Sequence, residues 1–191
     1  MAGVSKVGQL AAVAISGEPG VGKTTTARAV ARLLGAALAD LDQFDPLLDV
    51  LVERLGAAGY GDAALGNQTR AARYACLVNV AVDCLTAGRP VVLVAPFTLE
   101  RANANAWEVL ATRLRDAGGE PTLVWVDEPP ELWWERLAAR AAGRDRQRLD
   151  DKQSAMAALD RHPPVVPHVR VDGRLPAEDR AAEILAAIAA G

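Results

Sequence analysis

Eight consecutive residues near the start of the chain have the types and spacing of a phosphate-binding loop. Residues 17–24 read Gly-Glu-Pro-Gly-Val-Gly-Lys-Thr and match the pattern G-x-x-x-x-G-K-[ST], the P-loop. Glycines let the backbone N–H groups of such a loop turn toward phosphate oxygens, while Lys23 can reach the β- and γ-phosphates and the Thr24 hydroxyl can bind Mg²⁺. The pattern predicts a phosphate site formed by Gly17, Glu18, Pro19, Gly20, Val21, Gly22, Lys23, Thr24 and Thr25.

Two aspartates at the end of the second predicted strand form another candidate group. Residues 40–43 read Asp-Leu-Asp-Gln, and side chains alternate along a strand, so Asp40 and Asp42 are expected on one side. The carboxyl edge of a parallel sheet is also where a P-loop lies. One carboxylate there could orient Mg²⁺ while the other accepts a proton from an attacking hydroxyl. The alternative is that both are ordinary loop acids.

Arginines recur at helical spacing in the last third of the chain. Arg136, Arg140 and Arg144 lie at i, i+4 and i+8, with Arg146 and Arg148 beyond them. Like charges at this spacing repel on a helix, whereas a bound polyphosphate would turn that repulsion into attraction. We expect Arg140 and Arg144 to act on the transferring phosphate from a lid over residues 136–155. The alternative is a solvated helix face whose charges follow the helix dipole.

The elements that would position these groups alternate between apolar runs and helical patterns, which predicts one α/β domain over residues 1–191 with a parallel sheet covered on both faces. A segment at 43–68 with several glycines is expected to be a helical excursion that binds the acceptor. The predicted strands are 10–16, 36–41, 90–95, 122–126 and 168–171, and the predicted helices are 25–35, 46–58, 69–87, 102–117, 130–142 and 177–190.

Composition and charge exclude several classes of protein. The chain has 191 residues, of which 51% are hydrophobic, and its formal net charge is −3, so broad binding to nucleic acid or to a membrane surface is not expected. No apolar run approaches the roughly 20 residues of a membrane span. The beginning of the sequence lacks the apolar region of a signal peptide. We therefore expect a cytoplasmic protein, monomeric or homodimeric, with a small molecule as its partner.

With these motifs placed, the chain resembles the small P-loop kinases built like nucleoside monophosphate kinases, a group that includes shikimate kinase, gluconate kinase and chloramphenicol phosphotransferase. The resemblance implies a three-layer fold with a five-stranded parallel sheet, an arginine-rich lid, and ATP and Mg²⁺ as cofactors. In this pattern the first Asp of Asp-x-Asp supports the metal and the second activates the acceptor hydroxyl, which corresponds to Asp40 and Asp42. It also implies that Arg140 and Asp172 contact the nucleotide.

The expected activity is transfer of the γ-phosphoryl group of ATP to a hydroxyl of a small metabolite or natural product. Candidate acceptor-binding residues, beside Asp42, are Gln43, Phe44, Arg70, Arg73, Tyr74, Phe97 and Arg101. If the arginines point inward, an anionic acceptor is expected. Two alternatives stay open: a nucleotide or nucleoside kinase, and a P-loop ATPase or switch that uses Asp127-Glu128 as a Walker B motif.

Overall fold

A computed structural model describes residues 4–5, 9–57, 63–140, 149–159 and 162–190. The strands are β1 (Val4–Ser5), β2 (Gln9–Gly17), β3 (Ala37–Asp40), β4 (Val91–Val94), β5 (Gly119–Asp127) and β6 (Val169–Asp172). Five of them form a parallel sheet in the order β3-β4-β2-β5-β6. The two-residue strand β1 pairs antiparallel with β2. The five parallel strands confirm the predicted fold class.

Helices cover both faces of this sheet. They are α1 (Lys23–Leu34), α2 (Asp45–Leu55), α3 (Ala63–Thr86), α4 (Thr98–Ala102), α5 (Ala104–Asp116), α6 (Pro130–Arg140), α7 (Lys152–Ala157) and α8 (Ala177–Ala190). A short 3₁₀ helix, Leu41–Phe44, joins β3 to α2. None of the helices in the described part of the chain is long and apolar enough to cross a membrane.

Alternating residues of the central strand feed two separate hydrophobic cores. Val13 and Ile15 of β2 pack into the core on the face of α1, α6 and α8, whereas Ala12 and Ala14 point into the core on the face of α3 and α5. All four side chains are completely buried. Because both faces of β2 are covered, its sequence is a continuous apolar run rather than an alternating one.

Local chemistry explains where the observed elements differ from the predicted ones. The helix predicted over 102–117 is divided at Asn103, whose extended backbone ends α4 and whose side chain accepts hydrogen bonds from the N–H groups of Asn105 and Ala106 to begin α5. The strand predicted over 36–41 ends at Asp40, and Asp40 caps the 3₁₀ helix. Helix α7 was not predicted; Asp151 caps it by accepting from Ser154 N–H. The structure describes residues 43–57 and 63–68 of the predicted excursion, which contain α2 and the beginning of α3.

Candidate active site

A cavity of about 990 Å³ opens at the carboxyl ends of β2, β3 and β4. Its lining comes from the P-loop, the 3₁₀ helix, α3 and the segment around α7. The described side chains and backbone segments that line it are Pro19, Gly20, Gly22, Lys23, Thr24, Thr25, Arg28, Leu38, Asp40, Leu41, Asp42, Gln43, Asp45, Leu48, Leu65, Gly66, Thr69, Arg73, Val94, Ala95, Pro96, Arg140, Asp151, Ser154, Ala155 and Ala158. A volume of this size is typical of small-molecule sites.

The P-loop requires glycine where its backbone turns. At Gly17 φ is 148°, and a Cβ atom there would lie 2.7 Å from the carbonyl oxygen of Val126 and 2.9 Å from a methyl group of Val21. Gly22 has φ of 88° and is the residue from which α1 begins, at Lys23. The helix therefore presents its N-terminal N–H groups and the positive end of its dipole to the cavity, an arrangement that suits phosphate.

Lys23 is the cation of the loop, and its environment disfavours its charge. Its Nζ donates to the carbonyl oxygen of Glu18 at 2.8 Å. Burial lowers the pKa of Lys23 from 10.5 to about 8, against the opposing influence of Asp42, Glu18 and Asp40, and Arg140 lowers it further. A phosphate in the cavity would supply the negative charge that restores the protonated form.

Thr24 and Asp40 meet at the junction of the P-loop and β3. The Thr24 hydroxyl donates to Asp40 Oδ2 at 2.8 Å. Asp40 Oδ1 accepts from Asp42 N–H at 3.1 Å. Asp40 and Gln43 also form a capping box, in which the Asp40 side chain accepts from Gln43 N–H and the Gln43 side chain accepts from Asp40 N–H at 3.3 Å. One hydroxyl and one carboxylate, both fixed, fit Mg²⁺, which takes oxygen ligands and keeps several waters. No cluster of three or more His, Cys, Asp or Glu side chains of metal-binding geometry occurs in the described ranges.

Asp42 lines the same cavity and is exposed within it. Its position depends on the 3₁₀ helix and not on strand alternation as predicted, because β3 has already ended at Asp40. Leu41, between the two aspartates, is buried in the sheet core. Among the neighbouring charges, Asp42 has the strongest effect in raising the pKa of Lys23. The two side chains therefore interact electrostatically across the cavity lining.

The arginines predicted to bind the acceptor are paired with carboxylates. Arg73 lines the cavity, but it pairs with Asp45 at 3.2 Å and donates to the carbonyl oxygen of Leu41. Arg70 lies 3.7 Å from Glu100. Both interactions compensate the cationic charge that would otherwise attract an anionic acceptor.

Tyr74 and Phe97 form an edge-to-face aromatic pair, with their ring centroids 5.9 Å apart. Arg70 stacks over the Tyr74 ring at 4.2 Å, and the Tyr74 hydroxyl accepts a hydrogen bond from Phe97 N–H at 3.0 Å. Phe97 is fully buried in a left-handed backbone conformation, with φ of 45°. Burial raises the pKa of Tyr74. Four of the acceptor candidates do not line the cavity: Arg70, Tyr74, Phe97 and the half-buried Phe44.

Arg101, another acceptor candidate, supports the P-loop instead of facing the cavity. It is 2% exposed, pairs with Glu18 at 3.2 Å and donates to the carbonyl oxygen of His162 at 2.9 Å. Its guanidinium lies over the Trp125 ring at 4.6 Å. Sequence spacing gave no sign of this role, because the partners of Arg101 come from three distant segments.

The predicted arginine stripe divides within one helical turn. Arg140 lines the cavity, whereas Arg136 donates to Glu128 at 2.6 Å and to the carbonyl oxygen of Gly173 at 2.8 Å. Arg144 lies outside the described residues, as do Arg146 and Arg148, and the lid stays a prediction. Asp172 does not line the cavity either; Arg174 binds its carboxylate and lowers its pKa.

Glu128 does not have the surroundings of a Walker B base. Its side chain has no exposed surface, it forms an ion pair with Arg136, and it does not line the cavity. Burial raises its pKa, although Arg136 and Arg180 oppose that shift.

Several residues that line the cavity were not among the predicted site residues, for example Arg28, Asp151 and Ser154. Arg28 follows the P-loop in sequence, and Asp151 and Ser154 lie within the segment 136–155 that was predicted as a lid.

Comparisons with known proteins agree with this fold. No curated protein sequence matches the chain significantly. Solved structures that resemble the fold include a candidate kinase from Chloroflexus aurantiacus (19% identity, 95% of each chain covered, TM-score 0.66). They also include the Mycobacterium tuberculosis APS kinase in complex with AMPPNP and APS (22% identity, 93% of this chain and 96% of that chain, TM-score 0.61). A gluconokinase from Sinorhizobium meliloti has 18% identity, covers 94% of this chain and 92% of that chain, and has a TM-score of 0.59.

The structural likeness shows a kinase-type P-loop fold at sequence identities too low to transfer a substrate. The family is shown by a family model described as an AAA domain, AAA_33, which matches residues 13–164. That span contains the P-loop, Asp40, Asp42 and Arg140. The chain therefore belongs to the AAA_33 family of P-loop domains.

Proposed function

We propose that this protein is an ATP-dependent phosphotransferase that moves the γ-phosphoryl group of ATP to a hydroxyl group of a small molecule. The observation that carries the proposal is one cavity that contains the P-loop Lys23, the hydrogen-bonded pair Thr24–Asp40 and the exposed carboxylate of Asp42. Phosphoryl transfer requires little more than a held phosphate, a held metal ion and an oriented nucleophile.

In this proposal each group has one task. The N–H groups at the start of α1 and the Lys23 ammonium hold the phosphates, and Thr24 and Asp40 would hold Mg²⁺. An ion held there would supply positive charge to the phosphate oxygens during transfer. Asp42 accepts the proton of the acceptor hydroxyl while that oxygen bonds to the γ-phosphorus, the bond to the β-phosphate oxygen breaks, and ADP leaves. Arg140 adds positive charge on the nucleotide side of the cavity.

The structural neighbours support a kinase over an ATPase switch. The APS kinase structure contains an ATP analogue, AMPPNP, together with its acceptor, and the chain covers nearly all of that protein. Glu128, the group that a Walker B mechanism would need, is buried outside the cavity. The same cavity has room for an acceptor beside the nucleotide phosphates, between the P-loop and α3.

The paired arginines favour an acceptor recognised by hydrogen bonds and apolar contact rather than by negative charge. Arg73 pairs with Asp45, and Arg70 and Arg101, which lie outside the cavity, pair with Glu100 and Glu18. The described acceptor wall also contains Gln43, Thr69, Leu48 and Leu65. Sugars, polyols and hydroxylated natural products fit this acceptor wall, and Arg28, which is exposed and lines the cavity, could contact a negatively charged group of such an acceptor.

The decisive experiment measures acceptor-dependent ADP release from ATP across a library of hydroxylated metabolites, antibiotics, nucleosides and nucleotides. Asp42→Asn should reduce transfer by about 100-fold or more, the usual contribution of a general base, and should change ATP affinity far less than transfer. Asp116→Asn, at the exposed end of α5, is the matched control. Rapid ATP hydrolysis without an acceptor, lost in Glu128→Gln and kept in Asp42→Asn, would refute the proposal.

A further inference from the structure

Two buried side chains contact the P-loop from the side that faces away from the cavity. Trp133 Nε1 donates to the carbonyl oxygen of Pro19 at 2.5 Å, and Arg180 donates to the carbonyl oxygen of Val21 at 3.2 Å. Trp133 is 2% exposed and Arg180 is 5% exposed, and neither lines the cavity. We propose that Trp133 and Arg180 are positioning residues that hold two peptide groups of the P-loop in the orientation that binds phosphate.

The geometry of the peptide bond links these contacts to the phosphate site. In a trans peptide, a carbonyl group and the N–H group that follows it point in opposite directions. A Pro19 carbonyl held toward Trp133 therefore turns the Gly20 N–H away from Trp133, and a Val21 carbonyl held toward Arg180 does the same for the Gly22 N–H. Gly20 and Gly22 both line the cavity, so the two N–H groups are directed to where phosphate oxygens would lie.

Close packing leaves these peptide groups little freedom. A Cβ atom at Gly22 would lie 3.0 and 3.3 Å from the two terminal nitrogens of Arg180. A Cβ atom at Gly20 would lie 3.5 Å from Leu137 and 3.8 Å from the indole nitrogen of Trp133. The guanidinium and the indole therefore lie directly against the loop backbone. Rotation of either peptide group would break a hydrogen bond inside a packed region, which is costly.

The Glu18 carbonyl, a third carbonyl of the loop, is held by Lys23 and not by a residue outside the cavity. This difference separates a phosphate-binding residue from the two positioning residues. The Glu18 carbonyl accepts from Lys23 Nζ at 2.8 Å, and Lys23 would leave that contact to reach the phosphates of a nucleotide. Trp133 and Arg180 have no such second task, because they lie outside the cavity. Their two hydrogen bonds are therefore compatible with both the empty and the occupied loop.

The surroundings of Arg180 stabilise its buried charge. Burial and the neighbouring charge of Arg136 lower the pKa of Arg180, while Glu128 opposes that shift. A buried cation is stable only where charge and hydrogen bonds compensate it. Glu128, whose side chain has no exposed surface, supplies the charge, and the Val21 carbonyl accepts one hydrogen bond. A neutral residue of similar size would fill the space but could not hold the peptide group.

The test uses the full chain and ADP as the probe, with affinity measured by calorimetry well below the melting temperature of each variant. Arg180→Met and Trp133→Phe should each weaken ADP binding about tenfold, the effect of misdirecting one N–H donor to a charged oxygen. Arg180→Lys, which keeps a donor, should recover part of the loss. Arg32→Met, which removes an exposed arginine from an ion pair with Glu178 of α8, is the matched control and should bind ADP normally.

Four outcomes would be informative. Lower melting temperatures with unchanged ADP affinity would mean that the two side chains only support packing, and would overturn the proposal. Equal affinity losses in Arg32→Met would overturn it too. The inference depends only on the nucleotide-binding half of the proposed function, so a wild-type protein that binds ADP but phosphorylates no hydroxyl refutes the proposed reaction and leaves this test valid. A wild-type protein that binds no ADP refutes both.

Discussion

Nucleotide binding should weaken as the pH rises above 8, because Lys23 loses its charge in the free protein. Burial lowers the pKa of Lys23 to about 8, so about three quarters of the free protein carries the ammonium at about pH 7.5 and about one tenth at about pH 9. The phosphates of ADP are mostly ionised across this range, since the second pKa of a phosphate monoester is about 6. If the complex needs protonated Lys23, the apparent affinity for ADP should fall about eightfold between these two pH values.

The assay is ADP binding by calorimetry in two buffers of different ionisation enthalpy, which also counts the protons taken up. Lys23→Arg is the control, because a guanidinium does not titrate below about pH 12, and its ADP affinity should be the same at both pH values. With an ordinary pKa of 10.5, wild-type affinity would change by only about 3%. A flat wild-type profile without proton uptake would refute the argument that burial dominates at Lys23.

The same group should affect the stability of the free protein in the opposite direction. The folded-state pKa lies below the unfolded value of 10.5, so between about pH 8 and 10.5 the unfolded chain binds more protons than the folded one. The contribution of Lys23 to the free energy of unfolding therefore increases with pH across that window. Comparing the melting temperatures of wild type and Lys23→Met as a function of pH isolates this contribution, and the gap between them should change with this sign.

Two further changes test the backbone and the metal site. Gly17→Ala should lower the free energy of unfolding by about 1–3 kcal/mol or more, because its Cβ would lie 2.7 Å from a backbone oxygen at a φ of 148°. Urea unfolding measures this loss. Gly35→Ala is the control and should lower the free energy of unfolding less, because the space around Gly35 is open. Asp40→Asn should raise the Mg²⁺ concentration needed for half-maximal activity by about tenfold or more and leave metal-free ADP binding unchanged, and an unchanged Mg²⁺ requirement would exclude Asp40 from the metal site.

The sequence contained enough to place the nucleotide side of the site but not the contacts around it. The P-loop and the apolar run before it are local patterns, and local patterns survive folding. Asp42 reaches the cavity through a 3₁₀ helix that Asp40 and Gln43 nucleate by capping, a detail that strand alternation does not include. Arg101 was predicted as an acceptor-binding residue and Arg136 as part of the arginine stripe, whereas their partners are Glu18 and Glu128, which lie 83 and 8 residues away in sequence. Ion pairs between different elements of the fold have no periodic signal in the sequence.

The topology of the sheet explains why nucleotide and acceptor groups come together where they do. From β2 the chain crosses to β3 and β4 on one side and later to β5 and β6 on the other, so the carboxyl end of β2 is the point where the strand order reverses, and ligands bind at such points. Trp133 and Arg180 of the β5–β6 half contact the P-loop from outside the cavity, whereas Arg140 of the same half lines the cavity. Asp40 and Asp42 of the β3–β4 half face the loop from inside. A change that weakens phosphate binding without altering the acceptor is therefore expected at Trp133 or Arg180, and a change of acceptor is expected around Asp42.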